Sequence, residues 1–326
     1  MKQFTILLWS LAAAALLPLR AQNTTNLPTS MYGVGELSAG DGGRLAGMGN
    51  VGIALNRPGF QNTLNPAAIT RMDTTCFTFD VGASAAYARY AYLSDRSSST
   101  VASPNRISLG FRVLKRWYMM LGAAPYSSVG YLIRTEEPVE GMPDDYLYST
   151  FKGEGGLYRC YLTNAVHIGG GLSVGANVGM VLGTTTQSET QESAAVEYES
   201  KKRAMYVDLG LYYDFPAWRG MQWAVGMVFA PSLPLSHENT MTYSNSSTSE
   251  GVEKPYSEKQ QFLPWHLGLG ITLATGRWLL TADYNYMGWS RNTSSYTSVD
   301  YVNQHKVNLG GSYKVDARRT RSPEIM

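Results

Sequence analysis

Six segments of this chain share the property that most narrows what it can become: apolar and polar residues alternate with period two. In one of them Trp278, Leu280, Ala282, Tyr284 and Tyr286 interleave with Thr281, Asp283 and Asn285. The same pattern sets Ile107, Leu109, Phe111 and Val113 against Arg106, Ser108, Gly110 and Arg112, and Met205, Val207, Leu209 and Leu211 against Asp208 and Gly210. It returns in 172–180, 265–272 and 306–314. Successive side chains of a strand point to opposite faces, so each segment builds one apolar and one polar surface. Taken singly, such a strand suits the wall of a membrane barrel or one leaf of a soluble sandwich.

The connections separate these two outcomes. Short ones at Leu114–Arg116, the glycines 169–171, Phe215–Gln222 and Thr275–Arg277 alternate with polar stretches at 92–105, 133–149, 187–202, 237–261 and 291–303, which read as long loops. Short turns on one side and long loops on the other are the habit of bacterial outer-membrane barrels. A sheet in lipid must also close, because an open edge leaves backbone N–H and C=O groups without partners. The expectation is an all-β protein: a transmembrane antiparallel β-barrel of about ten strands between Thr74 and Lys314. The 33 Gly, 22 Tyr and 7 Trp, with only 16% charged residues, fit amphipathic strands with aromatic ends.

The N-terminus reads as a secretory signal over residues 1–21. Lys2 is its basic part, Phe4–Leu17 its apolar run and Ala21 the small residue before a mature Gln22. The run falls short of the roughly twenty residues of a membrane helix, and Pro18 interrupts it. A net charge of +2 gives no surface for a polyanion, so no nucleic-acid partner is expected. Cys76 and Cys160 are too few for a disulfide framework, and each is assigned to a strand.

Catalytic chemistry leaves no trace. His167, His237, His266 and His305 lack metal-ligand spacing, no Ser or Cys sits in a nucleophile context, and the acids of TEEP and MPDD read as solvated loop tips. The expectations are no enzyme, no cofactor and no metal. One strand departs from the alternation: 117–126 is apolar on both faces, and Pro125 cannot donate to a ladder. Met119, Leu121, Ala123 and Pro125 therefore mark either an apolar passage that opens sideways or a face packed on an internal plug.

The segment before the first strand carries the most specific pattern: YGVGELSAGDGGRLAGMGNVGIAL from Tyr32, then NTLNPAAITRMD, then FTFDVGASAAY. It resembles the N-terminal region of the FadL-type outer-membrane transporters of long-chain fatty acids and other hydrophobic compounds. The matching residues are Arg44 with Gly47 and Gly49, and the triplet Asn65-Pro66-Ala67. Less specific matches follow at 123–133, 263–274 and 282–290. The resemblance implies a monomeric barrel of fourteen strands in the bacterial outer membrane, with residues 22–73 as a hatch inside a wall formed by 74–326. It also implies passive uptake of a hydrophobic ligand, foremost a long-chain fatty acid, with Asn65, Pro66 and Ala67 acting in the hatch. Barrels with a similar region also shuttle or anchor secreted protein cargo, which is the alternative role. The ending DARRTRSPEIM lacks a terminal aromatic strand and falls about four strands short of that family. Either the barrel closes with fewer strands or the sequence is a piece of a longer one, and the turn-like basic tail after Lys314 favours the latter.

Overall fold

The structure is a computed structural model that describes residues 25, 27–38, 43–58, 60–72, 77–92, 95–138, 141, 145–245, 248–292, 300–315 and 324–325. The expected signal segment, Asp73 and Cys76 lie outside the described residues.

Among the described residues sixteen strands form one sheet. In chain order they are β1 (Glu36–Leu37), β2 (Thr78–Tyr92), β3 (Asp95–Leu114), β4 (Trp117–Ser128), β5 (Tyr131–Pro138), β6 (Tyr146–Gly169), β7 (Leu172–Gln191) and β8 (Ala194–Asp214). There follow β9 (Gln222–Ala230), β10 (Pro234–Asn245), β11 (Thr248–Pro255), β12 (Gln261–Phe262), β13 (Trp265–Ala274), β14 (Trp278–Gly288), β15 (Gln304–Lys314) and β16 (Glu324–Ile325). The wall runs β16-β15-β14-β13-β9-β8-β7-β6-β4-β3-β2 through antiparallel neighbours, and ten of these strands are long. No helix among the described residues is long and apolar enough to cross a membrane.

Burial runs opposite to that of a soluble sandwich. Arg106, Ser108, Thr163, Asn177, Asp208, Thr272, Thr281 and Asp283 are buried, whereas Val81, Ile107, Val178, Leu182, Leu209, Leu269, Ile271 and Leu280 are exposed. Apolar residues face outward and polar ones inward, as lipid outside and a filled lumen inside require. Replacing outward Leu269, midway along β13, by arginine is therefore expected to destabilise the folded barrel by about 2–4 kcal/mol. The same change at Gly276 in the short turn, where nothing lies within 4 Å of a Cβ, should cost far less. Equal unfolding midpoints for the two variants in lipid vesicles would remove the membrane assignment of this face.

The long connections are corrected. Residues 92–105, 133–149, 187–202 and 237–261 are mostly strand: β7 and β8 stay paired from Leu172↔Tyr213 to Gln191↔Ala194, and only Glu192 and Ser193 make the turn. At 24 residues β6 extends roughly 80 Å, when about ten residues suffice to cross. Outside the bilayer both faces of a hairpin meet water, so the apolar alternation that marks a strand in sequence disappears while the ladder continues. Beyond the basic residues after Lys314, which lie outside the described residues, β16 pairs antiparallel with the end of β15.

Residues 43–72 lie inside the wall and touch it nearly all the way round. Gln61 donates to the Thr78 carbonyl of β2, Gly49 accepts from the Asn308 side chain of β15, and strands between them make further contacts. Because opposite ends of the strand path meet the same segment, the sheet curls into a barrel around an N-terminal hatch.

Candidate functional site

The hatch is built from turns, and its triplet explains how it is held. Pro66 and the extended Asn65 before it begin a 3-10 turn, Pro66–Ile69, whose first turn needs no proline N–H. Asn65 Oδ1 caps that turn by accepting from the Ala67 N–H at 2.9 Å. Its Nδ2 donates to the Ile53 carbonyl within the hatch at 2.7 Å and to the Leu211 carbonyl of β8 at 2.9 Å. One fully buried amide thus ties the turn, the hatch and the wall together. The residues after it complete the seat: Thr70 Oγ1 lies 2.9 Å from Ser173 Oγ, and Arg71 pairs with Asp214 at the strand end.

The wall receives the hatch through glycines. A Cβ on Gly226 would lie 2.2 Å from the Ile53 oxygen, one on Gly310 2.0 Å from the Met48 oxygen, and one on Gly210 2.3 Å from Asn65 Oδ1. Asp283 of β14 adds a direct hold, accepting from the N–H groups of Gly52 at 2.6 Å and Ile53 at 3.0 Å. Arg44 opens the single helical turn α1 (Arg44–Gly47), and Gly47 closes it by donating to the Gly43 carbonyl. Gly49 has a φ of 76° and sits against the Leu309 backbone, where a side chain would clash.

Strand parity corrects the assignment made to β4. Met119, Leu121 and Ala123 stand on the outer face, where Leu121 is 57% exposed and registers with the outward Leu109 and Leu162. The inward residues are Tyr118, Met120 and Ala124, which share one buried cluster with Ile69, Met72 and Val34 of the N-terminal segment. With both faces apolar, alternation alone does not decide which one turns inward.

Pro125 marks a break in the wall. The β3–β4 ladder ends at Ile107↔Ala123, and the pairing with β6 shifts between Pro125 and Ser127. From there the free edge of β4 is taken by the N-terminal segment: Glu36↔Ser128 and Leu37↔Ser127 pair, and the Ser38 N–H donates to the Tyr126 carbonyl at 2.9 Å. A seam therefore separates β3 from the outer half of β4, with β1 lying in it.

Behind the seam is a cavity of about 190 Å³. Leu37, Ser38, Pro125 and Tyr126 line it on the seam side, Ile53 and Leu64 from the hatch, and Val228, Leu233, Leu263 and Met287 from the wall. Into this mostly apolar space projects Arg159 of β6, which the sequence reading did not single out. Its guanidinium donates to Tyr206 Oη at 2.9 Å and lies over the rings of Tyr161 and Tyr206. Tyr206 in turn donates to Asp208, which also accepts from Asn177 at 3.2 Å. Among the described residues no carboxylate pairs directly with Arg159. His266 also lines the cavity, 2.9 Å from Asn285 Oδ1, and no group of three or more His, Cys, Asp or Glu among the described residues could hold a metal.

The sequence model of a protein family described as BamG matches residues 1–322. No curated protein matches the chain. Among solved structures, the P. putida toluene transporter TodX is similar with a TM-score of 0.56 at 14% identity, covering 85% of this chain and 80% of that one. The Ralstonia pickettii toluene transporter TbuX gives 0.53 at 14% identity, with 85% and 83% covered, and the CymD monoaromatic hydrocarbon channel 0.53 at 17%, with 84% and 80% covered. At these identities the likeness is one of fold.

Proposed function

The chain belongs to the BamG family, and we propose that it is a bacterial outer-membrane channel for passive entry of hydrophobic small molecules. The observation that carries the proposal is the cavity of about 190 Å³ lying directly behind the Pro125 seam. The structures it resembles in fold are described as channels or transporters of toluene and monoaromatic hydrocarbons, which agrees with this reading.

A ligand reaches the cavity from the hairpin side and leaves sideways through the seam, where Pro125 supplies no N–H to close the ladder. The hatch blocks the straight route through the lumen. No bond is made or broken; each methylene removed from water contributes about 0.8 kcal/mol. The finer proposal is a long-chain fatty acid, its chain in the apolar part of the cavity and its carboxylate on Arg159, for which a charge-assisted hydrogen bond is the natural partner.

Purified protein in lipid nanodiscs should bind radiolabelled oleate saturably, and its gene should restore growth of an uptake-deficient strain on oleate. Arg159→Gln should weaken oleate binding about tenfold while leaving toluene binding unchanged. Binding of toluene but not oleate removes the fatty acid and keeps the channel. Absence of both, with no rescued growth, overturns the channel and turns attention to the alternative role of anchoring secreted cargo, to which the protruding hairpins are suited.

A further inference from the structure

The turn end of the barrel carries a surface that passage of a ligand does not use. The β8–β9 connection, Phe215–Met221, is a regular hairpin rather than a slack loop. Phe215 donates to the Trp223 carbonyl at 2.9 Å, and Trp218 and Met221 exchange both backbone hydrogen bonds, each at 2.9 Å. Arg219 and Gly220 take positive φ values of 50° and 75°, the geometry of a tight hairpin turn. At its tip Trp218 is 60% exposed, with the Arg219 guanidinium 4.7 Å from its ring centroid.

An exposed tryptophan on a membrane barrel ordinarily belongs to the interfacial belt. Here that belt is already formed at the strand ends, by the pairs Trp278–Tyr313 and Tyr213–Phe215. Trp218 lies three residues beyond Phe215 on an extended hairpin, roughly 10 Å further from the bilayer. The headgroup region is only about 5–8 Å deep on each side and strands tilt by about 40°, so the indole stands at its outer edge, facing the aqueous compartment. Charge points the same way. Lys115, Arg116, Arg219 and Arg277 on these turns are all exposed, and the strand-end carboxylate Asp214 is already held by Arg71. Tryptophan and arginine are the residues that most often carry binding energy in protein interfaces.

We propose that this turn end docks an acidic partner protein on the periplasmic side, with Trp218 as the inserted anchor and the basic rim steering the approach. The side rests on the outer-membrane placement proposed above, because short turns face the periplasm in such barrels.

The test places photoreactive benzoylphenylalanine at Ala217 in the full chain, in cells, with a second copy of the experiment carrying it at Ser193 on the opposite hairpin. The expected result is one discrete protein adduct at 217, with an acidic protein identified in it. Trp218→Ala and Arg219→Glu should each reduce it about tenfold with barrel abundance unchanged. A phospholipid adduct in place of protein, no adduct, or an adduct indifferent to both substitutions overturns the proposal. Accessibility to an impermeant thiol reagent, after Ser193→Cys in one strain and Ala217→Cys in another, checks the placement separately. Labelling of 217 but not 193 from outside the cell would reverse the orientation, and both the side and the partner assigned here would fall with it.

Discussion

Replacing Gly226 by leucine will unseat the hatch while the wall still assembles. The Ile53 carbonyl comes so close to this glycine that even a Cβ would sit 2.2 Å from its oxygen, and Ala54 Cα would be 3.1 Å away. Neither neighbour is a flexible side-chain end that can swing aside; both are backbone. Overpacking of a filled interior commonly costs 1–3 kcal/mol, and a branched side chain against fixed backbone belongs at the upper end, about 3 kcal/mol. The strain falls on the hatch because β9 is clamped between β8 and β13 over most of its length. Limited proteolysis should then cut within 43–72, where the wild type resists, and planar-bilayer recordings should show conductance through a lumen no longer plugged. Gly276→Leu is the control, since nothing lies within 4 Å of a Cβ there. Equal protease resistance of the two variants would show that the hatch does not depend on this close approach.

That glycine seat shows where sequence reading stops. The alternation of residues such as Trp278–Tyr286 was legible because lipid and lumen impose opposite chemistry on neighbouring residues, and it gave the barrel, although its count of about ten strands fell short of the sixteen among the described residues. The hatch was legible too, as turn chemistry with no place in a ladder. The outer hairpins were not, because Ser, Thr, Glu and Lys in water can continue a ladder without any alternation. Parity in β4 was lost for the converse reason, an apolar residue at every position from Trp117 to Leu121. Gly210, Gly226 and Gly310 are indistinguishable from other strand glycines until the hatch backbone is seen lying on them. Arg159 and Asp208 held polar positions of their strands, but only the fold brings β6 and β8 around one cavity through β7.

The hatch and the seam answer to the same segment of chain. Residues 34–38 hold the free edge of β4, residues 43–72 fill the lumen, and the cavity lies between the two. In the proposed channel a ligand in the cavity would meet Leu37 and Ser38 as well as Ile53 and Leu64, so the strength of the hatch seat would govern whether the segment can yield locally at the seam without leaving the barrel.

Asn65→Ala measures that seat at its most connected residue. The substitution removes the cap of the 3-10 turn, which alone is worth about 1 kcal/mol. It also takes the donor from the Ile53 and Leu211 carbonyls, and the buried Ala67 N–H is left without an acceptor. Each buried group without a partner costs about 1–3 kcal/mol, reduced where water can enter the space the amide leaves. The expected loss is about 3–4 kcal/mol, confined to the hatch because the wall ladders are untouched. Asn65→Asp discriminates the cap from the tie. The carboxylate can still accept from Ala67, but it cannot donate to Ile53 or Leu211, and it buries a charge. The two variants should therefore lose hydrogen-exchange protection in 51–70 to similar extents, while the exchange of β7 and β8 stays as in the wild type. Should Asn65→Asp retain full protection, the cap alone holds the turn and the tie to Leu211 contributes nothing.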